Sequence, residues 1–341
     1  MKRGVRLTLS VLLVCFWSIC GAQAGCPEIG PMRTLVLKST YKDAKNSIQD
    51  EANEAENAKI LAPLTHFFDV LNHAVDAADA RPGNSETDCA FQLFQQWAAA
   101  GALTFEPEIY EGQGKVTRGL RNPAFQVLGL KFRERGFTLD DPLQRWLRKM
   151  DRENVDFYAK GGNRANQRVW AATGAALDGL ITHDPVSLQF QDQVWHETID
   201  AVRGDGFIEA ELTRGQMALA YHMYSLSATL MLESARTALG YGETPAEKQK
   251  IRLLENAIGR ALCNPSEMER RAGTKMIIPG SWAYGIIDGF ARSPKDINPD
   301  WEKCALPSTD FHARDYGGDS RHTAELLAAL AEKARSKQKV Q

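Results

Sequence analysis

The sequence has almost no charge imbalance, few cysteines and, after its first residues, no long apolar run. Forty-one basic residues oppose 43 acidic ones over 341 positions, for a net charge of -2. Chains that bind nucleic acid usually carry a strongly basic face, so no nucleic-acid partner is expected. An anionic ligand held in a local basic cleft remains compatible with this balance. A membrane span needs roughly 18 consecutive apolar residues, and none follows the N-terminal segment. The motifs of several chemistries are also missing: no GxSxG elbow, no HExxH pair, no GxxxxGK[ST] phosphate loop. His196-Glu197 lacks the second histidine a metal needs, and His66 and His73, seven apart on one helix, suit packing better than ligation. No cofactor or metal is indicated. No repeat of fixed length is visible, which argues against a regular solenoid.

What the N-terminus does contain is a cleavable export signal. Lys2, Arg3 and Arg6 precede the uncharged run Leu7 to Cys20, and Ala22-Gln23-Ala24 offers signal peptidase small residues before Gly25. Residues 1–24 are therefore expected to be a secretory signal peptide and the mature protein to be periplasmic, with no membrane contact after cleavage. Removing that segment leaves 38 basic against 43 acidic side chains. Export to an oxidising compartment makes Cys26, Cys89, Cys263 and Cys304 candidates for structural disulfides, since none lies in a CxxC or zinc spacing. Four cysteines allow three pairings. The preferred one joins Cys26 to Cys89 and Cys263 to Cys304, the first stapling the irregular N-terminus to the helical body.

Apolar residues three and four apart recur along most of the chain, and strand-like alternation is scarce. Helices are predicted over 48–73, 89–102, 142–160, 186–202, 209–239, 245–262 and 320–337, separated by turns such as Arg81-Pro82-Gly83-Asn84 and Gly240-Tyr241-Gly242. In the helix predicted over 209–239, Leu212, Leu219, Met223, Leu226 and Leu230 form one apolar stripe. Arg214 and Tyr221 lie two turns apart on another face, roughly 200° round from that stripe at about 100° per residue. A helix buried on one side and showing Arg and Tyr on the other can line a cleft. A second stretch, Asn163-Arg164-Ala165-Asn166-Gln167-Arg168-Val169-Trp170, runs from a glycine-rich turn into a helix of small residues. There Asn166 and Gln167 can add amide donors to the free backbone N–H groups of a helix start, a setting that suits a carboxylate. Taken alone, each pattern is more often that of ordinary surface, packing and capping residues.

Together the two stretches resemble the alginate lyases of polysaccharide lyase family 5. That family has an Asn-Asn-His-x-Tyr-Trp motif and, further on, an Arg and a Tyr in the pattern Arg-x-x-x-x-Leu-x-Tyr. The counterparts here are Ala165-Asn166-Gln167-Arg168-Val169-Trp170 and Arg214-Gly215-Gln216-Met217-Ala218-Leu219-Ala220-Tyr221. Leu35 to Tyr41 looks like the family's lid segment, Asp88 to Leu103 like a family helix, and Arg314-Asp315-Tyr316-Gly317-Gly318 like its C-terminal segment. The resemblance implies an all-α fold, an incomplete (α/α) toroid or barrel of helical hairpins, as a single catalytic domain over 25–341. It implies a monomer whose partner is an anionic polysaccharide, mannuronan, glucuronan or a similar polyuronate, cleaved by β-elimination without a cofactor. Asn166, Gln167 and Arg214 would neutralise the C6 carboxylate so that the C5 proton becomes acidic enough to remove. Tyr221 would act as base and acid, since an adjacent Arg favours the anion of a phenol normally near pKa 10. Tyr41, Arg314, His222 and Trp170 are the implied substrate-binding residues.

Gln167 stands where the family has its catalytic histidine, and glutamine carries neither a proton nor a charge. In mannuronate and glucuronate the C5 proton and the O4 leaving group lie on one side, so a single Tyr serves both steps. In guluronate they lie on opposite sides and a separate base is needed, so little guluronate activity is expected. The same substitution suits a rival, a catalytically impaired relative that binds a polyuronate during export. A hydrolase would need two carboxylates across the scissile bond, whereas Glu209 and Glu211, two apart, face different ways.

Overall fold

The computed structural model describes residues 26–104, 112–160, 165–280, 284–290, 303–304 and 311–338. The expected signal peptide, and Asn163 and Arg164 of the second motif, lie outside them. The described chain is built from α1 (Glu51–Asp76), α2 (Ser85–Ala99), α3 (Gln113–Glu134), α4 (Asp141–Lys160), α5 (Ala165–Thr182) and α6 (Pro185–Ala201). Then follow the short α7 (Glu209–Leu212), α8 (Ala218–Ala238), α9 (Pro245–Cys263), α10 (Ser266–Ala272), α11 (Gly285–Phe290) and α12 (Ser320–Gln338). Helix starts are written in side chains that accept free backbone N–H groups. Asp50 caps α1, Asn84 caps α2 and Asp184 caps α6, while Thr244 and Glu247 form a reciprocal capping box on α9 with Pro245 at its first turn.

Sequential helices pack as hairpins, α1 on α2, α3 on α4, α5 on α6 and α8 on α9, the all-α arrangement expected from the sequence. At the centre, α5 packs against α3, α4, α6 and α8. Its small residues make this possible: Ala171, Ala172, Ala175 and Ala176 are fully buried, and a Cβ on Gly174 would collide with the amide of Asn122 in α3. Aromatic side chains fill the core between α1, α2, α3 and α4, where Phe67 and Trp97 stack at 3.9 Å and Phe125 meets the edge of Trp146 at 5.4 Å. The buried apolar side chains form one contiguous core.

Both preferred disulfides are present. Cys26–Cys89 and Cys263–Cys304 each hold Cα atoms 5.1 Å apart and close sequence separations of 63 and 41 residues. Loops of that length lower the entropy of the unfolded chain by an amount worth about 4 kcal/mol each on the chain-entropy account.

Two departures from the sequence-based expectation bear on the site. The helix predicted over 209–239 is interrupted between Thr213 and Met217, where Arg214 precedes a 3-10 turn (Gly215–Met217) and Gly215 adopts φ +57°. A left-handed backbone there favours glycine, and Ser47 Cβ lies 3.3 Å from where a Cβ would sit. The second is α3, which periodicity does not reveal. Its residues from Asn122 to Phe132 are buried without a polar face, and Pro123 sits inside it. Near the C-terminus two short antiparallel strands, β1 (His312–Ala313) and β2 (Gly318–Asp319), enclose the Arg314–Tyr316 turn. Lys131 of α3 fixes that turn from below: its ammonium donates to Asp76, Gly317 O and Asp319 O at 2.6, 2.8 and 3.1 Å.

Candidate active site

The site grows from the start of α8. His222 is fully buried, and its two ring nitrogens are both engaged by backbone. Nε2 accepts from Ile208 N–H at 3.0 Å, so Nδ1 carries the proton donated to Ala218 O at 2.7 Å. Burial pushes this imidazole down to about 4. His222, expected on the substrate side, is thus placed in the interior, where it pins Ile208, the residue just before α7. The chain then passes through α7, breaks, and enters α8.

The break brings Arg214 back over α8. Its guanidinium carbon lies 4.0 Å from the centre of the Tyr221 ring, putting a fixed positive charge beside the phenol. Arg214 Nε is buried with no protein partner among the described residues, a donor left available beside that ring. From far away in sequence, the hydroxyl of Tyr41 meets the hydroxyl of Tyr221 in a short hydrogen bond. Burial, reinforced by the neighbouring Tyr221, pushes Tyr41 up, so it is a phenol that keeps its proton. The segment that delivers Tyr41 is held by Asp43, which accepts from Ser47 N and Ile48 N at 2.8 and 2.7 Å. Gln216 of the break donates to Ser47 O at 2.9 Å and ties that segment to Arg214.

Asn166 lies in the first turn of α5 and is almost fully buried. Its backbone N–H and its side-chain amide both donate to Glu211 Oε1, at 2.9 and 3.0 Å. Gln167, the next residue, is half-buried. Trp170 is fully buried and stacks on Tyr316 at 4.2 Å, so its ring is reached from inside the protein rather than by a chain lying in a cleft. Tyr316 is hydrogen-bonded to Tyr224, one turn beyond Tyr221. Beside it, Asp315 takes Arg121 Nη2 at 2.9 Å and Arg314 Nε at 3.1 Å. Arg314 is the more exposed of these two cations, with 41% of its side chain accessible.

The structure therefore brings Tyr221, Arg214, Tyr41 and Asn166 into one neighbourhood through α5, α7 and α8, with Arg314 on the adjoining turn. It draws His222 and Trp170 into the supporting layer. Tyr224 and Arg121 carry no pattern in the sequence, and Tyr316 is marked there only as part of the C-terminal segment; their roles arise from packing. Among the described residues no group of three or more His, Cys, Asp or Glu is placed to hold a metal ion.

Residues 124–262, which include α5, the break and α8, match the family model for alginate lyase. A polysaccharide lyase of Stenotrophomonas maltophilia is 24% identical over 328 residues, covering 94% of this chain and 96% of that protein. An alginate lyase of Azotobacter vinelandii is 26% identical over 238 residues, or 64% of this chain and 62% of that protein. These matches support an alginate lyase family protein. They support a polysaccharide lyase, an enzyme that breaks carbon–oxygen bonds in a glycan. The fold agrees: alginate lyase A1-III of Sphingomonas species A1 superimposes with a TM-score of 0.68 at 18% identity, over 89% of this chain and 85% of that one. A variant of the same protein in complex with a tetrasaccharide gives a TM-score of 0.70, again at 18% identity over 89% and 85% of the two chains. The hairpins described above are thus those of an incomplete α/α toroid.

Proposed function

We propose that this lyase cleaves a 1,4-linked polyuronate of the mannuronate or glucuronate type by β-elimination, with Tyr221 as both base and acid. The observation that carries the proposal is the Tyr221 phenol, with the Arg214 guanidinium over its ring and the Tyr41 hydroxyl on its oxygen. The proton at C5 of a uronate becomes labile only when the C6 carboxylate is neutralised. Arg214, with an unused Nε donor, and the amides of Asn166 and Gln167 supply that neutralisation. Tyr221, entering as the phenolate, then takes the C5 proton, the C4–O4 bond breaks, and the phenol so formed protonates O4, restoring the phenolate. No water enters the bond, and the new chain end carries a C4–C5 double bond. Tyr41, held as a neutral phenol, donates to the Tyr221 oxygen and contacts the sugar, while Arg314 takes a neighbouring uronate.

Gln167 restricts the stereochemistry. It cannot accept the proton on the face opposite Tyr221, and His222 offers no substitute because backbone groups occupy both its ring nitrogens. One phenol working on one face suits mannuronate and glucuronate. The relatives named alginate lyase support the polyuronate class, and the two disulfides suit the oxidising compartment to which residues 1–24 would direct the chain. The test is incubation with mannuronan, glucuronan and guluronan, following the ultraviolet absorbance of the unsaturated product. Absorbance from either of the first two and little from guluronan is expected. Guluronan turned over as fast as mannuronan would falsify the single-phenol mechanism, and binding without any absorbance would support the impaired relative instead.

A further inference from the structure

Glu211 is the most deeply buried carboxylate near the site, with none of its surface accessible. Burying a carboxylate is costly unless it gains strong partners, so its bonds indicate what it is retained for. Three of them converge on one oxygen. Oε1 accepts from the backbone N–H of Asn166 at 2.9 Å, from the Asn166 amide at 3.0 Å and from Ser225 Oγ at 3.0 Å. Among the described residues Oε2 has no protein partner, and Glu211 borders a cavity of about 80 Å³ with Ser225, Ile208 and Thr198. Burial pushes this carboxyl up, while the Asn166 bonds favour its anion. In either protonation state Oε1 is an acceptor, so the Asn166 amide must turn its nitrogen toward Glu211. One N–H is then fixed on Glu211, and the second is the one available to a substrate carboxylate.

Ser225 gives this contact a second consequence. It lies one turn beyond Tyr221 on α8, so the same carboxylate oxygen links the start of α5 to the helix that carries the phenol. Glu211 is itself placed by α7, whose first residue follows the Ile208 anchored by His222. Its neighbour Glu209 faces outward and pairs with Arg203 and Arg271, so only one of the two glutamates serves the site.

We propose that Glu211 is a positioning residue for the elimination: it fixes the Asn166 amide, and the spacing between α5 and the Tyr221 helix, for a substrate carboxylate. This rests on the assignment of Asn166 as a carboxylate donor, and the experiment separates the two. A double-mutant cycle on kcat and KM uses E211A, E211Q, N166A and the E211A/N166A double variant, with melting temperatures for each. Loss of one fixed donor typically costs about 10²-fold in kcat, so both E211A and N166A should fall by about that factor with KM within about threefold of wild type. The double variant should lie within about threefold of N166A alone, because the two side chains act as a unit. E211Q, which keeps an acceptor at Oε1, should recover to within about tenfold of wild type. A lower melting temperature for E211A with unchanged kcat, or losses that multiply in the double variant, would overturn the proposal. N166A with wild-type kcat removes the assignment beneath it, and wild-type protein yielding no unsaturated product removes both.

Discussion

Lys131 and Arg214 are cations held against the same helical body, yet they leave different remainders. All three protons of the Lys131 ammonium are donated, to Asp76 and to two carbonyls of the C-terminal turn. Asp76 is equally used up, since Oδ1 also bonds His322 and Oδ2 accepts Asp319 N at 2.7 Å. Around Arg214 the accounts do not close: its Nε and the Oε2 of nearby Glu211 are buried without a protein partner among the described residues. A native interior seldom leaves such groups unmatched. The Lys131 ammonium is fully used within the fold, whereas on the proposed function the unused Arg214 donor is the one a substrate carboxylate takes.

Substitutions can break this contrast. The largest effect is expected at Tyr221: Tyr221→Phe should lower kcat by about 10³-fold or more while leaving the melting temperature close to wild type, because only a hydroxyl is lost from an otherwise intact ring. Stopped assays on mannuronan together with calorimetry check both halves of that statement. Lys131→Met should do the opposite. Removing one partner of a buried ion pair strands Asp76, and about 3 kcal/mol of unfolding free energy should be lost, with kcat of the folded enzyme within a few-fold of wild type. Urea denaturation gives the first quantity; a kcat loss as large as that of Tyr221→Phe would erase the distinction between the clusters.

An effect confined to acid pH concerns the support of α7. The His222 imidazole titrates near 4 in the folded protein against 6.5 for an ordinary histidine. Its folded value is depressed, so the unfolded chain binds more protons, and stability falls as pH drops from about 6.5 toward 4. The loss from this one group approaches roughly 3 kcal/mol at the lower end of the window. His222→Gln should make unfolding free energy less steep across that range; equal slopes for the two proteins would show that other groups control acid lability.

How much of this was legible differs along the chain. α4, α6 and α9 start and end within a residue or two of the ranges read from periodicity, because each has one apolar stripe and a polar face. α3 was not legible, since a helix buried nearly all round has no alternation to detect. The stripe of Leu212, Leu219, Met223, Leu226 and Leu230 is buried as expected, although the helix carrying it is broken. Gly215 was the available clue, a residue that costs helix stability unless a turn needs it. The motif residues Asn166, Arg214 and Tyr221 were visible by type and spacing, while the interior placement of His222 and Trp170 was not, because burial of a single aromatic depends on what packs against it.

The sequence by itself determined the helical periods, the caps, the cysteines fit for pairing and the set of side chains able to grip a carboxylate. All of these depend on residues a few positions apart. Tertiary structure alone decided that Tyr41 reaches Tyr221 across 180 positions, that Arg214 folds back over the phenol, and that one oxygen of Glu211 gathers Asn166 and Ser225. Such meetings follow from how helices pack and where one of them breaks, and local spacing carries no record of either.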